Sequence, residues 1–431
     1  MLRTVKVFAL ENPEVFKQKL LVWSNQFREV VFLDSNNYQQ NYSNYDVVLA
    51  VEAFTSIKTD SFNAFEDLHQ YQTHTKDWLF GYLSYDLKND TEALNSNNFD
   101  GLAFPDLYFF QPKKLFFLKD NEVELQYLRL CDDEMDNDFM EINYIQNLQP
   151  ITYNLQPIPI QQRISKEDYL QKVSKMLEHI HHGDIYEANF CMEFFAKDAT
   201  INPIEIYQKL NAISQPPFAV FFKNNYQFLL SASPERYLKK EGTKVISQPI
   251  KGTARRVFDS ELDEQSKADL AVNPKERAEN IMIVDLVRND LSKTAAKGAV
   301  AVEELCQVYT FKQVHQLIST VVSQVENTTA PVEIIKTTFP MGSMTGAPKI
   351  SAMKIIEELE ETKRGLYSGA IGYISPEGDF DFNVVIRSIL YNSKNQYLSF
   401  SVGSAITSEA TPEGEYEECL LKAKAMFEVL N

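Results

Sequence analysis

The stretch Lys275–Leu291, KERAENIMIVDLVRNDL, sets the architecture. Glu276 and Glu279 stand at its head, and Ile281, Met282, Ile283, Val284, Leu286 and Val287 follow almost without a polar break. A helix that is apolar nearly all round needs a large apolar partner, so this one is expected to be buried, with both carboxylates on one face. Its surroundings supply a sheet. LYSGAIGYI (366–374) and FNVVIRSIL (382–390) read as strands, and QPIKGTARR (248–256) begins as the end of another, with Lys251 between an isoleucine and a glycine. A buried ammonium is costly, so this lysine needs a chemical reason to be there.

Working outward, 431 residues at 44% hydrophobic make either one oversized α/β domain or two ordinary ones. The first half alternates aromatic and β-branched runs (VVLAVEAF, DWLFGYLSYDL, KKLFFL, VELQYLRL) with Asn/Asp-rich turns, the pattern of a sheet with hairpins. Acidic CDDEMDND (131–138) ends that pattern, and the Pro- and Gln-containing stretch 147–162 reads as a connector, so the expected parts are residues 1–150 and 160–431, packed as one unit or two. Ser165 then opens a helix with Tyr169, Val173, Met176 and Ile180 on one stripe and Gly183 as its stop.

Composition excludes several classes. Sixty acidic against 42 basic residues give a net charge of −18, with no Lys/Arg run to neutralise a phosphate backbone, so nucleic acid is not an expected partner. The N-terminal MLRTVKVFALENPEVF has neither a signal pattern nor an apolar run long enough to cross a bilayer, which implies no membrane and a cytoplasmic setting. Four separated cysteines without a CxxC pair read as reduced core residues.

A second carboxylate pair lies in EGEYEECLLKAKAMFEVL (413–430), where Glu415 and Glu418 repeat the spacing of Glu276 and Glu279 above an apolar stripe. If the two pairs converge, protonation or a hard cation must neutralise them, and all-oxygen ligands favour Mg²⁺. GSMTGAPK (342–349) offers two glycines before a helix, with Pro348 at its start, an arrangement whose free amides hold anions. Tyr367 and Arg387 each bring a carboxylate-binding group into an apolar strand.

These blocks resemble the chorismate-utilising enzymes. The likeness runs in order through GDIYEANF (183–190), SPERY (233–237), PIKGT (249–253), ERAENIMIVDLVRNDL, VHQLIST (314–320), GSMTGAPK, YSGAIGY (367–373), IRS (386–388) and EYEE (415–418), with FGYLSYD (80–86) a weaker echo of members that use a glutaminase partner. The resemblance implies the family's α/β (α+β) sandwich of large antiparallel β-sheets with helices packed outside. It implies that Glu276, Glu279, Glu415 and Glu418 hold Mg²⁺, and through it the ring carboxylate of chorismate. Tyr367, Arg387 and the backbone at Gly403 match positions that bind the enolpyruvyl carboxylate. Ser343 lies in the loop beneath the ring, Gly252 and Thr253 belong to the same substrate-binding block as Lys251, and His315 matches the histidine near the ring hydroxyl.

Lysine at the third place of PIxGT, and Ser then Thr in GSMTGAPK, look like the group that forms 4-amino-4-deoxychorismate for 4-aminobenzoate and folate. Anthranilate formers, the alternative, usually carry alanine there. The lysine is expected to be a nucleophile with a lowered pKa, set among apolar residues beside a cation, and Glu235 to be the acid that protonates the leaving hydroxyl. Its bland reading is an ion pair with Glu235. Two departures stand out: Glu187, where the family generally has Gln and isochorismate formers have Lys, and GSAIT (403–407) in place of the usual GAGIV or GGGIV. With no glutaminase sequence fused, the resemblance implies ammonia from a separate glutamine amidotransferase subunit.

Overall fold

The computed structural model describes residues 3–38, 42–146, 158–312 and 314–431. Most of the expected connector, 147–157, lies outside the described residues. Among the described residues twenty strands join through antiparallel pairings into one sheet, with helices packed against it, as the sequence implied.

Alternation explains how one sheet carries two cores. In the strand Val47–Thr59, Val47, Leu49 and Val51 enter one apolar cluster while Val48 and Ala50 enter the other. Leu107–Lys119 divides likewise, Phe116 and Leu118 against Leu115 and Phe117. Strands covered on both faces need unbroken apolar runs, which is why VVLAV and KKLFFL lack the polar alternation of a half-exposed sheet. The sheet crosses between the two expected parts of the chain at two seams: Glu29–Asp34 pairs with Phe218–Asn224, and Leu79–Leu83 pairs with Ala370–Ile374.

The helices follow their end signals. Lys166–His182 is capped by the Ser165 side chain accepting from Asp168 N, stops at Gly183 (φ +87°), and buries Tyr169, Val173, Met176 and Ile180. Pro274–Ser292 is capped by Asn273 and buries Asn280, Ile283, Val284, Val287 and Leu291. Here the expectation of burial nearly all round is corrected: one stripe is covered, and Ile281 is 39% exposed. An unbroken apolar run records composition, whereas the face is chosen by the strands Ile250–Arg255, Ala295–Thr310 and Val314–Val325 beneath it. The C-terminal helix Pro412–Leu430 lies on the strand Tyr397–Ile406.

Candidate active site

The strand carrying Lys251 is irregular where chemistry is expected. Ile250–Arg255 pairs with Val314–Val325, but the register slips between Ile250 and Thr253, and Gly252 takes φ +89°. A Cβ added at Gly252 would stand 3.0 Å from both Glu276 Oε2 and Leu317 Cδ1, so conformation and space each require glycine there. Asn280, one residue beyond Glu279, fixes the bulge by donating from Nδ2 to the Leu317 carbonyl (3.2 Å) and more weakly to that of Lys251 (3.4 Å).

The Lys251 side chain is 10% exposed, and its Nζ donates to Glu187 Oε1 at 2.6 Å. Burial alone would lower its pKa, but the charge and hydrogen bond of Glu187, with Glu279 and Glu235 behind them, raise it above the ordinary lysine value. Two expectations are thereby corrected: the protein's own groups raise the lysine's pKa, and its partner is Glu187. The surroundings are acidic because residues far apart in sequence converge on Nζ. Glu235 sits in the turn between the strands Gln227–Ser233 and Arg236–Glu241. Burial pushes its carboxyl up to about 7, against the pull of Ser343 and Lys251. Ser343 is buried and its Oγ makes no well-formed hydrogen bond, so a donor and acceptor are left free beside Glu235.

The two carboxylate pairs face one another across this site. Burial raises Glu276, and Glu418 on the opposite helix raises it further. Burial lifts Glu279 to about 7, with Lys251 opposing and Glu187 and Glu276 adding. Glu415 is raised by burial and by Glu418. Glu418 moves the other way: burial pushes it up, but Lys422 at 2.5 Å, with Lys251 and Lys275 behind it, brings it below the ordinary value. Among the described residues, no three His, Cys, Asp or Glu side chains gather as a ready-made metal cage. The donor set, all carboxylate and with three of its four members driven toward the protonated form, nonetheless fits a hard cation.

On the other side lie the residues expected to bind a carboxylate. Arg387 stands between the strands Phe380–Val384 and Ser388–Asn392 at φ +53°, not within a strand, and donates from Nη1 to the Lys422 carbonyl at 3.2 Å. Among the described residues no carboxylate pairs with it. Tyr367, buried in the turn before Ala370–Ile374, lies close enough for its charge state to bear on that guanidinium. Gly403 pairs with Cys191, and a Cβ there would come within 2.6 Å of Cys191 Sγ and Asn189 Oδ1. Lys422 Nζ donates to the Gly403 carbonyl at 2.9 Å, linking the anion side to the carboxylates.

Not every expected residue joins. His315 is buried with Nδ1 against Thr310 Oγ1 (3.0 Å) and Nε2 against Asp263 Oδ1 (3.2 Å), so both ring nitrogens are engaged away from Lys251 and Glu235. Thr253 sits opposite Gln316 in the strand pair. In GSMTGAPK the backbone of Gly346 and Ala347 pairs with Ala188 and Glu187, and the helix Lys349–Leu359 starts after Pro348 at its N-cap. That corrects the reading of a free anion-binding turn: part of its backbone holds the strand carrying Glu187. Sequence reasoning passed over Asn280, Lys275 and Lys422. The two lysines lie four residues from Glu279 and Glu418, a spacing that signals a helix pair.

Residues 28–428 match the family model of the chorismate binding enzyme. The chain is 35% identical to an anthranilate synthase component I-like protein of Synechocystis sp. over 359 residues, 82% of this chain and 72% of that one. It is 36% identical to aminodeoxychorismate synthase component 1 of Escherichia coli over 270 residues, 63% of this chain and 59% of that one. The crystal structure of anthranilate synthase component I from Streptococcus pneumoniae superposes with a TM-score of 0.79 at 25% identity, covering 90% of this chain and 93% of that one. The menaquinone-specific isochorismate synthase of Escherichia coli, at 17% identity, shares the fold with a TM-score of 0.76 over all of this chain and 95% of that one.

Proposed function

The chain belongs to the chorismate-binding enzyme family and uses chorismate; within that family we propose that it is component I of an aminodeoxychorismate synthase, turning chorismate and ammonia into 4-amino-4-deoxychorismate. One observation carries this reading: a largely enclosed lysine, Lys251, lies within electrostatic reach of an acid, Glu235, whose carboxyl is lifted to about 7.

In this reading the neutral amine of Lys251 bonds to the ring carbon next to the carboxylate-bearing one. The bond to the distant hydroxyl breaks as Glu235 gives it a proton, so that it leaves as water. A carboxyl near 7 is protonated often enough at neutral pH for that role and, once ionised, basic enough to take a proton from incoming ammonia. Ammonia then bonds at the hydroxyl's old carbon, and the amine of Lys251 leaves with its electron pair. Arg387, lacking an acid partner, and Tyr367 would receive the enolpyruvyl carboxylate beside the backbone of Gly403, with Ser343, Gly252 and Thr253 around the ring. His315 is left out of the chemistry because its ring nitrogens are engaged elsewhere. Glu276, Glu279, Glu415 and Glu418 would hold Mg²⁺, which supplies positive charge against the ring carboxylate.

A separate glutamine amidotransferase would deliver the ammonia, a cytoplasmic pairing consistent with a relative named as a component. No described helix is long and apolar enough to cross a membrane. A second reading, anthranilate synthase component I, draws support from relatives of that name and from a Lys251 held as ammonium. Product identity separates the two. Purified chain is incubated with chorismate, Mg²⁺ and an ammonium salt at alkaline pH, and half of the sample receives 4-amino-4-deoxychorismate lyase. 4-Aminobenzoate appearing only with the lyase supports the first reading; anthranilate and pyruvate without it establish the second.

A further inference from the structure

Two acids on one strand behave differently. On Glu187–Ala196, Glu193 has both oxygens engaged: Oε2 by Arg163 (2.9 Å), Oε1 by Tyr397 (2.9 Å) and Ser399 (2.7 Å). That is a structural carboxylate, fully satisfied. Glu187 is 1% exposed, its Oε1 holds the Lys251 ammonium, and its Oε2 has no hydrogen-bond partner. A buried carboxylate oxygen without a donor is an expensive group to keep for the fold alone, and in the site it leaves an acceptor open. The strand is also held firmly there. Tyr186 N donates to the Ala347 carbonyl (2.7 Å), Asn189 N donates to that of Thr345 (2.8 Å), and Gly346 packs so closely that an added Cβ would fall 2.2 Å from the Glu187 carbonyl oxygen.

We infer that Glu187 is the positioning residue and proton acceptor of Lys251, converting the resting ion pair into a neutral amine beside a neutral carboxylic acid within the closed site. The inference rests on Lys251 being the nucleophile. The proton moves from Nζ to Oε1, and the freed lone pair forms the bond to the ring while water departs with the proton from Glu235. When ammonia displaces the lysine, the product nitrogen returns a proton to Glu235, and Glu187 hands its proton back to the amine. The cycle thus consumes chorismate and ammonia and releases product and water, with every side chain restored. The charged groups around the pair are Glu235 before the strand Arg236–Glu241, Glu276 and Glu279 on the helix Pro274–Ser292, and Glu418 on the C-terminal helix. Glu187 differs from all of them in touching Nζ directly.

Three variants in the full chain test this: Lys251→Ala, Glu187→Gln and Glu187→Asp, assayed for ammonia-dependent turnover of chorismate across pH. With Glu187 in place the reactive pair is uncharged overall, so kcat should change little with pH on the acid side and fall only above pH 7, as Glu235 loses its proton. Glu187→Gln should lower kcat at neutral pH by roughly 10²–10⁴-fold, the span of a lost proton transfer. Its rate should rise tenfold per pH unit on the acid side, because the lysine must then deprotonate to solvent, while KM for chorismate stays within about threefold. Glu187→Asp should restore the flat acid side of the profile at a reduced rate and serves as the test should the glutamine variant not fold. If Lys251→Ala turns over like the parent, the nucleophile reading fails. If Lys251→Ala is inactive while Glu187→Gln keeps the parental rate and profile, the present inference alone is overturned.

Discussion

Replacing Glu235 by Gln tests the site through stability as well as rate. The carboxyl titrates near 7 in the folded chain against an ordinary value of 4.5, and the side chain is 5% exposed, so solvent screens it little. An acid with a raised folded-state pKa binds its proton more tightly folded than unfolded. Folding is therefore free of its cost below the unfolded value, and the cost grows as pH rises from 4.5 to about 7. The difference between about 7 and 4.5, at 1.36 kcal/mol per pH unit, amounts to about 3 kcal/mol at pH 8. Gln has nothing to ionise. Denaturant unfolding of both proteins at pH 4.5, 6 and 8 should show Glu235→Gln gaining about 3 kcal/mol on the parent between the lowest and highest pH, while ammonia-dependent turnover falls by roughly 10²–10⁴-fold. A stability difference that does not vary with pH would refute the buried, proton-holding acid. Full activity in the variant would refute its role.

Other substitutions probe the remaining groups. Glu279→Gln and Glu418→Gln should each raise the Mg²⁺ concentration needed for half-maximal turnover; a rate indifferent to the metal in parent and variants would remove these residues as ligands. Arg387→Gln takes away the guanidinium proposed to bind the enolpyruvyl carboxylate, a charge-assisted bond worth about 1.5–3 kcal/mol, so KM for chorismate should rise roughly 10- to 150-fold. An unchanged KM would assign the carboxylate elsewhere. Gly252→Ala forces a side chain into φ +89° and against Glu276, which should cost about 1–3 kcal/mol in denaturant unfolding and weaken the response to Mg²⁺; parental stability would show that the bulge relaxes freely.

What the sequence revealed and what it hid divide on physical lines. The helix Lys166–His182 was legible because cap, stripe and stop are all local. The carboxylate pairs were legible because three-residue spacing on a helix fixes a common face. The protonation of Lys251 was not legible: burial can be read from its neighbours in sequence, but the acids that decide the sign arrive from positions 187, 235 and 279. The surroundings of His315 were hidden for a related reason, since strand alternation sends adjacent residues to opposite faces and its own face meets Asp263 on the helix Ser260–Val272. Arg387 looked like a strand residue, and only the backbone reveals the left-handed turn that presents it.

The most direct test of the account is the covalent step itself. Purified chain is mixed with chorismate and Mg²⁺ without ammonia, quenched in acid, and the protein mass and its peptides are measured. Added mass equal to chorismate less one water is expected, mapped to Lys251, absent from Lys251→Ala and discharged when an ammonium salt is added before the quench. Rapid amination of chorismate by the parent chain with no such adduct at any quench time, and with Lys251→Ala equally active, would contradict it.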